Sequence, residues 1–212
     1  MSSVKGNPLL SIFFGSQTGN AEELAGRTKK MSEKLGFKAE VIDMDGYDPS
    51  GFSSLKRVLI ITSTWGEGDM PDNAEDLWIA TGEQNPPLSE VSFSVCAIGD
   101  TSYDEFCKAG KDWDAKFSSL GAKRIHDIQL CDVDHEPEWE KWANSVLPLM
   151  AEVDGGAYEE TAQETSAVTT DAVMPISGSA SEGLSSVLGG DRSLTILFGS
   201  QTGNAAGLAE KT

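Results

Sequence analysis

Cysteine, histidine and basic side chains are all scarce in this chain, and each scarcity closes off a class of function. The three cysteines, Cys96, Cys107 and Cys131, form an odd set with neither CxxC nor metal-ligand spacing, so no metal site is expected. The opening MSSVKGNP lacks the apolar stretch of a secretory signal, and with the sparse cysteines it points to a reducing, cytoplasmic setting. The two histidines, His126 in a strand pattern and His135 in an acidic loop, have no nucleophile or metal partner in view and read as structural. Lys and Arg number 16 against 34 Asp and Glu, a formal charge of −18. That balance argues against nucleic acid or an anionic membrane surface as a direct partner and favours a basic protein. No run approaches the roughly 18 apolar residues of a membrane span, so a soluble chain is expected.

What is present is a regular alternation. At 212 residues the chain has room for one domain of roughly 150 residues and a remainder. Up to residue 152, short apolar runs alternate with amphipathic segments, the pattern of strands and helices around a parallel sheet. The runs are LLSIFF (9–14), KAEVI (38–42), RVLIITS (57–63), SFSVCAIG (92–99) and KRIHDIQL (123–130), which predict five strands. Ala21, Leu24, Ala25, Met31 and Leu35 recur at helical spacing, with Asn20 and Glu23 as a capping pair. A second helix begins at Asp72, and others run through about 108–119 and 137–150, the last with Trp139, Trp142, Val146 and Leu149 on one face. Right-handed crossovers then give an α/β, doubly wound sheet.

Residues 153–192 are rich in Gly, Ser, Thr, Ala and Glu and read as a flexible tether, with a root-mean-square span of roughly 35 Å. Residues 193–212 then restart the first strand and helix. FGSQTGNA occurs at Phe14–Ala21 and again at Phe198–Ala205, and 12 of 18 positions agree between Ser11–Thr28 and Thr195–Thr212. A strand and part of a helix cannot bury a core alone, so this tandem repeat is expected to be the incomplete start of a second domain.

In open parallel sheets, ligands bind outside the carboxyl ends of the strands. The loop after the first strand, GSQTGNA, runs into a helix, and successive N–H groups backed by a helix dipole seat a phosphate. Ser16 and Thr18 add hydroxyls, and Gly19 lets the backbone turn closely. The loop has no Lys or Arg, no Walker A pattern and no GxGxxG. It therefore suits a single terminal phosphate held by neutral donors, unless it is an ordinary capped turn. STWGEGDMPDNA (63–74), after the third strand, places Trp65 beside Gly66. GDTSYDEFCKAGKDWD (99–114), after the fourth, places Tyr103 just past the strand end, with Phe106 and Cys107 behind it. Two aromatics on adjacent loops suit a flat heterocycle.

These stretches, SQTGNAEEL, TSTWGEGDMPDNA and AIGDTSYDEFCKAGKDWD, closely resemble the three FMN-binding loops of the flavodoxin-like domain in the diflavin reductases, most of all the sulfite reductase flavoprotein subunits, with the NADPH–cytochrome P450 reductases nearby. The resemblance covers roughly residues 9–150. It implies a five-stranded flavodoxin-like fold and one non-covalently bound FMN. Carried over by position, Ser16, Gln17, Thr18, Gly19, Asn20 and Ala21 would hold the phosphate, and Ser63, Thr64, Trp65 and Gly66 would form the second loop. Ile98, Gly99, Asp100, Thr101, Ser102, Tyr103, Asp104, Glu105, Phe106 and Cys107 would form the third, with Trp65 and Tyr103 flanking the ring system. Trp65 stands where relatives often have another residue. The resemblance further implies that the Gly66 carbonyl accepts a hydrogen bond from N5 of half-reduced flavin, which makes one-electron steps available.

It also implies an FAD/NADPH reductase module as electron donor, of which this chain carries no part, and a basic redox acceptor protein or haem domain. The acidity fits that role. Carboxylates disfavour an anionic reduced flavin and lower its potential, about 59 mV for each tenfold shift of a one-electron equilibrium. Glu67, Asp69, Asp100, Asp104, Asp132 and Asp134, near the flavin edge, would steer a basic partner. Three rival readings remain on these residues: a stand-alone flavodoxin-type carrier, a phosphate- or nucleotide-binding switch on the same sheet, and an interaction module that has lost its flavin.

Overall fold

The computed structural model describes residues 4–156. The expected tether beyond residue 156 and the second FGSQTGNA copy lie outside the described residues. Five parallel strand positions form one sheet. Strands β1 (Leu9–Gly15), β2 (Lys38–Asp43), β3 (Arg57–Ser63) and β4 (Ser92–Ile98) are continuous. The fifth, expected over 123–130, is split into β5 (Lys123–Arg124) and β6 (Gln129–Cys131), both paired with β4. Between them His126 Nδ1 bonds the Asp127 carbonyl at 2.7 Å, a local bond in place of ladder pairing. His126 therefore sits in the break and not within a strand. The order is β2-β1-β3-β4-β5, so the chain winds outward both ways from the β1/β3 pair.

Successive strand side chains face opposite layers because the pleat has a period of two. Leu10, Ile12 and Phe14 of β1, Leu59 and Ile61 of β3, and Cys96 and Ile98 of β4 face one layer. Phe13, Val58, Ile60, Phe93 and Val95 face the other. Both layers are buried, which is why these runs are almost continuously apolar.

Four helices cover the faces: α1 (Asn20–Glu33), α2 (Asp72–Gln84), α3 (Lys108–Ser119) and α4 (Glu136–Glu152). The first layer takes Leu24 of α1 with Trp139, Trp142, Val146, Leu147 and Met150 of α4. Leu149, expected on that face, is instead exposed, because Leu147 and Met150 complete the stripe. The two indoles find partners as they enter the core: Trp139 Nε1 donates to Thr28 Oγ1 and Trp142 Nε1 to Ser94 Oγ, each at 3.0 Å. The second layer takes Leu77 of α2 and Trp113 and Phe117 of α3, together with Phe52 from a short turn of helix at Pro49–Ser54 that the hydrophobic pattern does not announce.

At the amino ends of the strands Arg57 is almost fully buried. Its guanidinium donates to the carbonyls of Met150 (2.9 Å) and Val153 (2.6 Å), and also to those of Lys5 and Asn7. Around it Asn7 N–H donates to the Gly156 carbonyl at 2.9 Å and Gly155 N–H to that of Lys5 at 3.3 Å. The first residues read as tether, Val153–Gly156, are thus fastened to the domain's opening segment.

Candidate functional site

The carboxyl ends of β1, β3 and β4 carry the three loops to one cavity of about 510 Å³, within the range of about 300–1,000 Å³ typical of small-molecule sites. The loop leaving β1 is shaped by its own serine. Ser16 Oγ accepts the N–H groups of Gly19 (3.0 Å) and Ala21 (3.3 Å). Gly19 has φ +89°, a left-handed turn that favours glycine, and it occupies the cap position of α1. Asn20 is the first helical residue, so the expected Asn20/Glu23 capping pair does not form. The N–H groups of Gln17, Thr18 and Asn20 have no acceptor among the described residues, which leaves a cluster of unmade donors at a helix start.

A clasp from α2 holds this loop in place. Asn73 Oδ1 accepts the Ser16 N–H at 2.8 Å, and Asn73 Nδ2 donates to Asp43 at 2.8 Å. Gln17 and Asp72 bond reciprocally, Gln17 Nε2 to Asp72 Oδ2 at 2.8 Å and Asp72 N–H to Gln17 Oε1 at 3.0 Å. Asp72 and Asn73 belong to the PDNA run, which the sequence marks only as the end of a loop and the start of a helix. Their task of fixing the first loop carries no local signal.

The second loop is a closed turn. Trp65 N–H donates to the Asp69 carbonyl at 3.0 Å, and the Trp65 carbonyl accepts from Gly68 (3.1 Å) and Asp69 (2.8 Å). Gly66 lies inside it at φ +51°, and its carbonyl accepts no hydrogen bond among the described residues. Thr64 ties the loop to its neighbours: its N–H donates to the Ile98 carbonyl at 2.9 Å, and its Oγ1 accepts from Ala109 N–H at 3.2 Å.

In the third loop Asp100 Oδ1 accepts the Ser102 N–H at 2.8 Å, and Tyr103 N–H donates to the Asp100 carbonyl at 3.2 Å. Asp132 takes the Thr101 hydroxyl at 2.6 Å and the Thr101 N–H at 3.0 Å, which holds its carboxyl below the usual carboxylate range. Two of the acidic residues assigned to steering therefore also fasten this loop. Cys107 is fully buried with φ +57°. Burial pushes its thiol up to about 12, and Sγ donates to the carbonyls of Ala97 (3.4 Å) and Cys131 (3.5 Å). It is a neutral thiol in the cavity floor.

Of the residues expected at the site, Gln17, Thr18, Asn20, Ser63, Thr64, Trp65, Gly66, Ile98, Gly99, Asp100, Tyr103, Glu105, Phe106 and Cys107 line the cavity. Ser16, Gly19, Ala21, Thr101, Ser102 and Asp104 do not. The Gly19 and Ala21 N–H groups both donate to the Ser16 hydroxyl, Thr101 and Ser102 are bonded to Asp132 and Asp100, and Asp104 is exposed. Trp65 and Tyr103 keep 49% and 48% of their surface exposed, the mark of rings not absorbed by the core. Val133 and His135 complete the wall, so His135, read as structural, is a cavity residue. Its spacing from the other loops carries no sign of this.

The family model for flavodoxin matches residues 12–143. The chain belongs to the flavodoxin family. It is 38% identical over 149 residues to the sulfite reductase [NADPH] flavoprotein alpha-component of Bacillus subtilis (strain 168), a match covering 70% of this chain and 25% of that protein. The chain thus spans about a quarter of the length of such curated relatives. Among solved structures, a cysteine-to-alanine mutant of the flavodoxin from Pseudomonas aeruginosa superposes with a TM-score of 0.61 at 26% identity, covering 67% of this chain and 98% of that one. The Streptococcus pneumonia TIGR4 flavodoxin gives 0.58 at 30%, covering 66% and 98%.

The cofactor of a flavodoxin-family domain is FMN, and the residues present fit it. Unmade N–H donors at a helix start suit a phosphate, and two half-exposed aromatics on one cavity suit a flat ring system.

Proposed function

We propose that this chain is an FMN-dependent electron-transfer domain that receives electrons from an FAD/NADPH reductase module and passes them singly to a redox acceptor. The observation that carries this reading is the convergence, on one cavity, of free donors at the start of α1 and the Trp65 and Tyr103 rings from the two neighbouring loops. When bound, FMN supplies the capacity to take up and release electrons one at a time; the protein binds, orients and shields it.

The N–H groups of Gln17, Thr18 and Asn20, with the Thr18 hydroxyl, seat the phosphate. The Ser16 hydroxyl accepts two N–H groups and still has a hydrogen to donate. Gly19 and Ala21 shape the turn, Ser63 to Gly66 form one wall, and Ile98 to Cys107 form the other. Neutral Cys107 brings no charge to the ring site, and the carboxylates of Asp100 and Glu105 on the same wall disfavour added negative charge there. Gly66 contributes a carbonyl with no partner among the described residues.

The names of the curated relatives support a sulfite reductase-like donor and acceptor, the latter a basic protein or haem domain that meets the acidic rim. We assign residues 1–152 to the FMN domain together with Val153–Gly156, which the bonds to Lys5, Asn7 and Arg57 fasten to it, 157–192 to a tether and 193–212 to the start of a second copy. The cytoplasm is the setting we assign, supported by three free, buried thiols. None of the helices among the described residues is long and apolar enough to cross a membrane. A second reading, a free-standing carrier, is favoured by one observation: the match covers 98% of a solved flavodoxin, a whole carrier protein.

The test is to titrate FMN into the purified full chain. Quenched FMN fluorescence and visible flavin bands that stay with the protein on gel filtration are expected. A chain that stays colourless in excess FMN overturns the assignment. Reading the gene beyond residue 212 then separates the two readings: an FAD- and NADPH-binding region in the same polypeptide supports the reductase domain, and a stop without one supports the free-standing carrier.

A further inference from the structure

Among the described residues, the cavity wall contains a single side chain able to carry positive charge. Its ionisable members are Asp100, Glu105, Tyr103, Cys107 and His135, and Lys and Arg are absent from it. A site for a phosphate ester thus has two carboxylates and one imidazole. That imidazole is positioned: His135 Nδ1 lies 3.0 Å from the Val133 carbonyl oxygen. A carbonyl only accepts, so Nδ1 carries the hydrogen, and Nε2 is the nitrogen that gains or loses a proton. The half-buried His135 is held at the cap position just before α4, on a segment fastened to the third loop through Asp132 and Thr101.

Resting on the reading of this cavity as the FMN site, we propose that His135 is the electrostatic anchor of that site, whose protonated imidazole is the one cation the wall offers to the anionic flavin phosphate. FMN binding is then tighter at pH 6 than at pH 8.

Glu136 interacts electrostatically with His135, Asp100 and Glu105 share the cavity wall with it, and Asp132, Asp134 and Glu138 are its charged neighbours along the chain. From α1 come Glu23 and Arg27, and Arg27 is engaged by Glu136. Cys107 is neutral, its thiol pushed up to about 12 by burial, and among the described residues of the wall a histidine is the one side-chain type suited to change charge near neutral pH.

The test is FMN affinity, read by fluorescence quenching in the full chain at pH 6 and pH 8 and at one ionic strength, for the parent protein, H135Q and H135K. The second ionisation of the FMN phosphate, near pH 6, acts on all three proteins. The ratio of affinities between the two pH values, compared across variants, isolates the side chain. The parent ratio should exceed the H135Q ratio by roughly three- to tenfold, the size of one partly screened charge interaction. H135K, charged at both values, should follow H135Q in its ratio while binding more tightly. By linkage, adding FMN at pH 6.5 should move the His135 ring resonances towards their protonated positions, and the only other histidine is assigned with H126Q. Equal ratios in parent and H135Q, or ring resonances that FMN does not move, overturn the proposal while leaving the FMN site intact. Failure of all three proteins to bind FMN at either pH overturns the site itself and the anchor with it.

Discussion

Tyr103 and Trp65 are each half in solvent, so their surfaces remain available to a ligand where a core aromatic's would already be spent. Stacking of this kind contributes about 0.5–1.5 kcal/mol beyond area burial. Tyr103→Ala should therefore weaken FMN binding roughly three- to tenfold or more in a fluorescence titration, with the folded spectrum in the far ultraviolet unchanged. Asp132 contributes differently. Its folded carboxyl is held low chiefly by the Thr101 hydroxyl, then by the Thr101 and Val133 N–H groups. Its stabilising contribution is fully present above the ordinary Asp value and is lost as the pH falls through the lower folded value. Thr101→Val should melt below the parent at pH 5–7, and the gap should narrow as the pH is taken down to 2. A gap independent of pH would show that the hydroxyl acts through packing alone.

Helix α3 presses its backbone directly onto β4. A Cβ built at Gly110 would lie 2.2 Å from the Ala97 Cβ and 3.0 Å from its Cα, contacts that only movement of the helix relieves. Gly110→Ala should cost about 1–3 kcal/mol in denaturant unfolding and displace the start of α3, where Cys107 and the third loop meet, so FMN affinity should fall as well. Such contacts explain what the sequence made legible. Strands and helices showed through because both sheet faces are buried, so apolar residues crowd five short segments. The loops showed through because Ser16, Thr18 and Gly19 at one strand end and Trp65 and Tyr103 at two others have few purely structural uses together. The bonds that pin those loops did not. Asn73 meets Ser16 across 57 positions, and no local spacing announces that. The Asn20/Glu23 pattern misled because Gly19 turns left-handed and the Ser16 hydroxyl takes the capping N–H groups first. His135 was hidden because the residues that share the cavity wall with it, Tyr103 and Asn20 among them, come from other loops.

Across the whole molecule, the two ends of the sheet have separate duties. The carboxyl ends of the strands hold the cavity, and at the amino ends Arg57 gathers main-chain carbonyls from the first and last described segments. Arg57→Ala would leave those carbonyls buried and unpaired, and unfolding should show a loss of about 3 kcal/mol or more. FMN affinity should stay within about twofold, since β3 spans seven residues between Arg57 and Ser63, about 20 Å of strand. A large loss of affinity would show that the two ends are coupled. Because the first and last described segments, at Lys5–Asn7 and Val153–Gly156, lie side by side around Arg57 at the pole away from the cavity, chain joined to either one would meet the domain on the face opposite its site and leave the three loops unobstructed.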